Sequence, residues 1–115
     1  MITSVDISSK KYAIDESTKN YVMEKLGRLD RYLPRHARLS VTADVKLNLV
    51  NRDHGNKYEA EAILMVPDKT LTAKESTTSM LAAIDMVEAK LLAQLHKYKQ
   101  AHMHHIARSS TNSQR

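Results

Sequence analysis

The stretch LSVTADVKLNL, residues 39–49, carries an apolar side chain at every second position. The apolar set is Leu39, Val41, Ala43, Val45, Leu47 and Leu49. Successive side chains of a β-strand point to opposite faces of a sheet, so this alternation predicts one long strand with an apolar face and a wet face. A sheet with a single wet face is typical of antiparallel pairing.

The residues after this stretch repeat the alternation. Asn51–Asn56, which contains Gly55, predicts a hairpin loop. The inward face of the next strand is predicted to be Tyr58, Ala60, Ala62, Leu64 and Val66. Glu59 and Glu61 are then expected to be outward, solvated carboxylates on that strand. The segment Pro67-Asp68-Lys69 predicts a turn into a further short strand, with Leu71 and Ala73 facing inward.

A helical period precedes the strands. A helix is predicted over Ile14–Leu33, with Asp15 as its N-cap and Pro34 as its stop. Its buried stripe is predicted to be Thr18, Val22, Leu26, Leu29 and Leu33. Gly27 lies inside this stripe, and we interpret it as a point of close packing.

A second helix is predicted over roughly Ser76–Lys99, capped by Ser76 or Thr77. Its buried stripe is predicted to be Met80, Ile84, Val87, Leu91, Leu95 and Tyr98, widened by Leu81 and Leu92. At the start of the chain, Val5, Ile7 and Ser9 alternate with polar residues and predict a short first strand.

The element order is therefore β-α-β-β-β-α. Both helices must bury a stripe, and the sheet offers one apolar face, so an α+β fold is predicted in which two roughly parallel helices pack on one face of a four-stranded sheet. Residues 1–100 are assigned to this domain and residues 101–115 to a basic, disordered tail.

Composition narrows the function. The 115 residues carry a formal charge of +5 and no cysteine, which favours an anionic partner and excludes disulfides and thiolate chemistry. No apolar run reaches the length of a membrane span, and the start of the chain does not read as a signal peptide. A basic protein with no anionic partner is the plain alternative.

The basic residues fall into two helical rows. The first contains Lys25, Arg28 and Arg31, with Arg35 on the face of the two arginines, and the second contains Lys90, Gln94 and Lys97, extended by Lys99. No acidic residue follows Glu88. A solvated helix face explains the first row equally well, and the helix dipole accounts for lysines near a helix end but not for Lys90. We expect the rows to hold the phosphates of structured RNA across a groove.

The sequence gives little support for metal binding or for catalysis. His96, His102, His104 and His105 invite a metal site, but positioned ligands of that number are not predicted near a fraying helix end, so no metal is expected. With only Gly27 and Gly55, the chain has no Gly-rich phosphate loop and no recognisable nucleophile elbow. We expect no cofactor and no enzymatic activity.

Two segments resemble a known family. ISSKKYAIDESTKNYVMEKLGRLDRYL and LTAKESTTSMLAAIDMVEAKLLAQLHKYK are similar to the first strand and helix, and the last strand and helix, of the ribosome hibernation-promoting factors, also called ribosome-associated inhibitor A or protein Y. The resemblance covers about residues 5–99 and implies a fold similar to double-stranded-RNA-binding domains. Ser79 and Leu81 depart from the acidic residue and tyrosine usual in that family.

The resemblance implies a short-form, cytoplasmic factor that binds the small ribosomal subunit and its ribosomal RNA in the tRNA/mRNA channel and silences idle ribosomes under stress. The RNA-binding positions it implies are Lys25, Arg28, Arg31, Lys90 and Lys97, with Lys74 and Lys99 as weaker carry-overs. It implies no membrane partner, no DNA and a monomer off the ribosome. A general structured-RNA-binding module and a protein–protein adaptor are the alternatives, and binding to ribosomal subunits, to any duplex RNA or to neither separates the three.

Overall fold

The computed structural model describes residues 2, 4–50 and 57–110, with residues 36 and 102–110 described by their backbone alone. The elements, in chain order, are β1 (Val5–Lys10), α1 (Glu16–Gly27), two 3-10 turns (Arg28–Tyr32 and Arg35–Ala37), β2 (Thr42–Leu49), β3 (Tyr58–Val66), β4 (Lys69–Thr77) and α2 (Met80–Ser110). The predicted β-α-β-β-β-α order is confirmed. The predicted loop at Asn51–Asn56 lies outside the described residues.

The four strands form one sheet in the order β1-β2-β3-β4. The β2–β3 and β3–β4 pairs are antiparallel, as predicted, and Val45, Ala62 and Ala73 lie opposite one another across the three strands. Strand β1 instead pairs with β2 in parallel, with Val5 opposite Ala43. A parallel pair needs a crossover connection, and α1 supplies it.

Both helices cover the same face of the sheet, and one core lies between the two layers. Every residue of the predicted stripe of α2 from Met80 to Tyr98 is buried, as are Val22, Leu26, Leu29 and Leu33 of the first stripe. The sheet contributes Val45, Leu47, Ala60, Ala62, Leu64, Leu71 and Ala73, among others. The predicted packing is therefore confirmed.

The start of β2 differs from its prediction. Leu39 is 99% exposed and belongs to a turn, while the strand begins at Thr42. The amide of Ser40 donates to the carbonyl of Ala37 at 3.2 Å, which closes that turn just before the strand. The alternation at Leu39 is therefore coincidental, and at the other end Leu49 is also partly exposed.

The first helix is shorter than predicted. Asp15 caps it as expected, since its Oδ1 accepts from the amide of Thr18 at 2.7 Å. The α-helix ends at Gly27, and the 3-10 turn Arg28–Tyr32 continues it towards Leu33. Gly27 is buried, and the start of the chain packs closely against it, since the carbonyl of Gly27 accepts a hydrogen bond from the amide of Ile2 at 2.9 Å.

The last helix starts later and ends later than predicted. Ser76 and Thr77 remain in β4, and Ser79 instead accepts from the amide of Ala82, at 3.4 Å. Leu81 is 43% exposed and does not widen the stripe, whereas Leu92 packs partly against the core. The helix continues to Ser110, beyond the predicted helix end near Lys99. The division into a domain and a tail stays a prediction.

Candidate nucleic-acid interface

Three contacts fix how α1 and the turn after it lie against α2. The hydroxyl of Tyr21 donates to Asp85 Oδ1 at 2.6 Å, across 64 residues of sequence. Further along both segments, Lys25 Nζ lies 4.0 Å from Glu88, and the rings of Tyr32 and His96 lie 5.6 Å apart. The separation in sequence stays almost constant as both numbers rise, so the two segments run parallel and in register, as predicted.

The first basic row lies along the flank of α1 that faces α2. Lys25, Arg28 and Arg31 line a shallow groove of about 180 Å³ together with Leu29, Tyr32 and Glu88. The end of α1 at Gly27 does not scatter these side chains, because the 3-10 turn continues in the same direction. The predicted grouping of the three cations on one surface is therefore observed.

Carboxylates accompany most of this row. Lys25 Nζ lies 3.7 Å from Asp85 Oδ1 and 5.5 Å from the centre of the Tyr21 ring. Arg28 reaches Glu24 at 3.8 Å, and its Nε donates to the carbonyl of Glu24 at 2.9 Å. Among the described side chains, Arg31 forms no ion pair and is exposed. It is the cation of this row with the fewest internal competitors.

The hydrogen bond to Asp85 also determines the protonation state of the Tyr21 phenol. The Asp85 carboxylate accepts a hydrogen bond from the phenol and, with partial burial, raises the pKa of Tyr21 to about 12. The phenol therefore remains a donor throughout the physiological range. This cluster of Tyr21, Lys25, Asp85 and Glu88 ties the two helices together on their outer surface.

The second basic row does not face the first. Lys90 pairs with Glu75 of β4, and Gln94 Nε2 donates to the carbonyl of Thr72 at 2.7 Å. With about 3.6 residues per turn, Lys97 lies on the same flank, opposite the flank that carries Asp85 and Glu88. The expectation of two rows gripping phosphates across one groove is wrong, because the body of α2 lies between them.

Lys99 and Lys74 belong to neither row. Lys99 follows Glu88 by about three helical turns, which places it on the flank facing α1 rather than in line with Lys90. Lys74 lies on the sheet face away from the helices, where its Nζ is 3.7 Å from Glu59. The seven predicted positions therefore occupy three separate regions of the surface.

Glu59 also corrects an expectation. It points to the open face of the sheet, yet the residue is only 5% exposed. Asn48 Nδ2 donates to it at 3.4 Å, and Lys74 supplies a positive charge. A carboxylate this enclosed requires such partners, so Glu59 is a structural residue and not a solvated surface charge.

Among the residues described with side chains, no three His, Asp or Glu side chains converge as metal ligands would. Of the four histidines considered as metal ligands, His96 packs on Tyr32, and the side chains of His102, His104 and His105 lie outside that part. None of the helices in the described ranges is both long and apolar enough to cross a bilayer.

Residues 5–103 match the family model described as "Sigma 54 modulation protein / S30EA ribosomal protein". The chain belongs to this family. The match begins at β1 and ends within α2, so it includes all six elements of the fold.

Family members elsewhere carry informative names. The ribosome hibernation promotion factor of Deinococcus radiodurans is 35% identical over 97 residues, which cover 84% of this chain and 49% of that protein. The factor of the same name from Lactococcus lactis is 31% identical over 94 residues, covering 82% and 48%. The chain thus spans about half the length of these curated relatives. The predicted resemblance is confirmed.

Solved structures support the fold. The N-terminal domain of Thermus thermophilus Protein Y superposes with a TM-score of 0.69 at 26% identity, covering 84% of this chain and 99% of that domain. A ribosomal subunit interface protein from Coxiella burnetii gives a TM-score of 0.67 at 20% identity, covering 84% and 98%, and supports the fold alone. The predicted α+β architecture is that of the family.

Sequence reasoning missed the acidic partners at this surface. Lys25 is held by Asp85 and Glu88, and Lys90 is held by Glu75. The sequence shows that these carboxylates lie off the apolar stripe, but it does not show which lysine each of them meets. The spacing of Asp85 and Glu88 by three residues, and of Tyr21 and Lys25 by four, indicates that each pair shares a helix face. That pattern signals a helix–helix contact once the two segments are known to be neighbours.

Proposed function

We propose that this domain is a ribosome-associated hibernation factor that binds the small ribosomal subunit in the channel for transfer and messenger RNA and silences idle ribosomes. The observation that carries the proposal is the family match over residues 5–103, which runs from β1 into α2. The relatives that share the match are named for ribosome hibernation. The domain is proposed to act in the cytoplasm, as a monomer when it is off the ribosome.

The charge distribution supports RNA as the ligand. Arg31 and Lys97 are exposed and, among the described side chains, unpaired, so phosphates would meet them without displacing a carboxylate. Lys25, Arg28 and Lys90 are held by neighbouring carboxylates and would exchange these partners for phosphate. Each such exchange returns less free energy than a new contact, because a charge pair is lost for each one gained. Lys74 and Lys99 remain proposed contacts at the periphery.

The proposed mechanism is occlusion without chemistry. A folded domain in the channel excludes the RNAs that occupy it, and its action ends when it dissociates. Inhibition is therefore stoichiometric and reversible, and the domain is not an enzyme.

Translation in a purified system tests this mechanism. Output should fall as the domain approaches one copy per ribosome, and an excess of initiation components should restore it. Inhibition at far below one copy per ribosome, accompanied by cleaved ribosomal RNA, would overturn the proposal. A plain duplex RNA serves as the control ligand. Equal affinity for this duplex and for small subunits would favour a general RNA-binding module.

A further inference from the structure

A groove on the side of α1 away from α2 lies outside the surface described above. It has a volume of about 490 Å³ and is lined by strand β1 on one side and by α1 with its preceding segment on the other. Val5, Ile7, Ile14 and Met23 are half-buried in its wall. A groove between an edge strand and a helix is the geometry in which domains accept an extended peptide as an added strand.

The wall formed by β1 offers backbone hydrogen bonds. Val5 pairs with Ala43 in the parallel ladder, and the amide of Ala43 donates to the carbonyl of Ser4 at 2.9 Å. In such a ladder alternate residues bond the neighbour, so the N–H and C=O groups of Val5, Ile7 and Ser9 point away from β2. Within the described ranges, no backbone group bonds them. This edge is a template for one more strand.

The charges at the groove select the occupant. Asp6, Asp15 and Glu16 line it with one cation, Lys19, and all four side chains are exposed. The rim is therefore net negative on a protein whose formal charge is +5. The hydrogen bond from Thr18 to Asp15 lowers the pKa of that carboxyl and keeps it ionised. An acidic rim above an apolar floor suits a strand that alternates basic and apolar side chains.

We propose that this groove binds an extended, basic segment of another protein by adding it as a fifth strand beside β1. The backbone groups of Val5, Ile7 and Ser9 form the ladder. Apolar side chains of the segment contact Ile14 and Met23 on the helix side of the sheet. The alternate basic side chains lie on the open face beside Asp6, and a basic side chain at the end of the added strand meets Asp15 and Glu16 at the start of α1.

The position of the groove leaves the basic rows free. Glu16, Lys19 and Met23 are spaced by three and four residues on one flank of α1, whereas Tyr21 and Lys25 occupy the flank that meets α2. An occupant of the groove therefore does not compete with a polyanion at Arg28 or Arg31. The proposal does not depend on the proposed ribosomal function.

Fluorescence anisotropy with a defined probe tests the proposal. The probe is the heptapeptide Lys-Val-Arg-Val-Lys-Val-Arg, long enough to span the 6 residues of β1. We expect saturable binding below about 1 mM at low ionic strength. N-methylation of alternate peptide amides on the bonding edge should abolish it, and methylation of the other set should not. Absence of binding, or equal binding by both methylated forms or by a glutamate analogue, would overturn the proposal.

A charge reversal with a matched control locates the site on the protein. Glu16→Lys should lower the affinity for the probe by about fivefold, because one charge attraction at the rim is lost and one repulsion is gained. Asp68→Lys makes the same change of charge in an exposed turn away from the groove. It should alter the affinity for the probe by less than about twofold at the same ionic strength. Equal effects of the two variants would show non-specific charge attraction and reject the groove.

Amide NMR supplies a readout independent of affinity. Bound probe should shift and protect the amides of Val5, Ile7 and Ser9. Shifts centred on Lys25 and Arg31 would contradict the assignment. Protection of the β1 amides that rises with protein concentration, without probe and with a dimer in sedimentation, would assign the groove to a second copy of the chain and overturn the proposed foreign segment.

Discussion

The hydroxyl of Tyr21 and the carboxylate of Asp85 meet at 2.6 Å across 64 residues of sequence. This bond joins the first and last helices at their outer surface, beside the row of cations on α1. It also brings Asp85 within 3.7 Å of Lys25, so one carboxylate positions both the phenol and the ammonium group. Asp85 therefore fixes the position of the Lys25 ammonium group, and this contact lies outside the apolar core.

Breaking this bond should weaken the helix pair by a measurable coupling. A double-mutant cycle of Tyr21→Phe and Asp85→Ala, followed by urea unfolding, should give about 0.5–1 kcal/mol of coupling at neutral pH, as for a partly exposed hydrogen bond. The matched cycle of Tyr21→Phe with Asp68→Ala should give none. Equal coupling in the two cycles would show that the bond does not contribute.

The same coupling should depend on alkaline pH. The folded pKa of Tyr21, about 12, exceeds its ordinary value of 10.0, so the protein holds the phenolic proton more tightly when folded. The contribution is therefore complete below pH 10 and is lost as the pH rises towards 12. Unfolding free energies of the parent and of Tyr21→Phe, measured over this range, should converge. A difference that grows with pH would contradict the assignment.

Lys97 should contribute more to RNA binding than Lys90. Lys97→Gln removes an exposed cation and should lower the slope of log affinity against log salt for small subunits by about one. Lys90→Gln removes a cation already paired with Glu75 and should lower it less, whereas Glu75→Gln should strengthen binding. Filter binding over a salt series measures all three. An equal loss for the two lysine variants would show that the Glu75 pair does not persist in solution.

Core truncations test the packing of the helices on the sheet. Leu26 and Leu91 are 2% and 1% exposed. Leu26→Ala and Leu91→Ala should each cost about 2–5 kcal/mol, because each leaves a cavity against the sheet. Lys19→Ala, an exposed change on α1, should stay within about 0.5 kcal/mol of the parent. Similar urea midpoints for Leu26→Ala and Lys19→Ala would contradict the packing described here.

The turn between β3 and β4 offers a stabilising change. Asp68 has φ of 61°, in the left-handed region. Asp68→Gly should raise stability by about 0.5 kcal/mol, since glycine enters this region without a Cβ clash but loses more freedom on folding. Asp68→Val should lower stability, because a branched Cβ is poorly tolerated there. Thermal unfolding of both variants measures the difference, and a glycine variant less stable than the valine variant would refute the turn geometry.

Periodicity predicted most of the fold because it reports directly on burial. The stripes of α1 and α2 and the inward faces of β3 and β4 all follow from it. It failed at Leu39, where an apolar residue in register with the strand lies in a turn, and at Ser76 and Thr77, which continue β4 although they are good caps. At Leu39 a local turn, closed by the bond from Ser40 to Ala37, precedes the strand, whereas Ser76 and Thr77 stay extended because they pair with β3. Neither the turn nor the pairing is visible in the apolar period.

The candidate surface was less predictable than the fold. Sequence placed Lys25, Arg28 and Arg31 together correctly, because neighbouring residues on one segment share a face. It joined Lys90 and Lys97 to them wrongly, because the side of α2 that meets α1 depends on how the two helices are docked. The burial of Glu59 on the open sheet face also depends on neighbours that are distant in sequence.

The bond from Gln94 to the carbonyl of Thr72 makes the two edges of the sheet unequal. Side chains of α2 reach over the middle of β4, while the outward backbone groups of β1 have no such cover among the described residues. A sheet with two open edges can polymerise without limit, since each added copy offers a fresh edge. Two copies of this fold joined at β1 would leave β4 at both ends of the joint sheet, each with the carbonyl of Thr72 already bonded to Gln94, so further strand addition would be disfavoured at those edges.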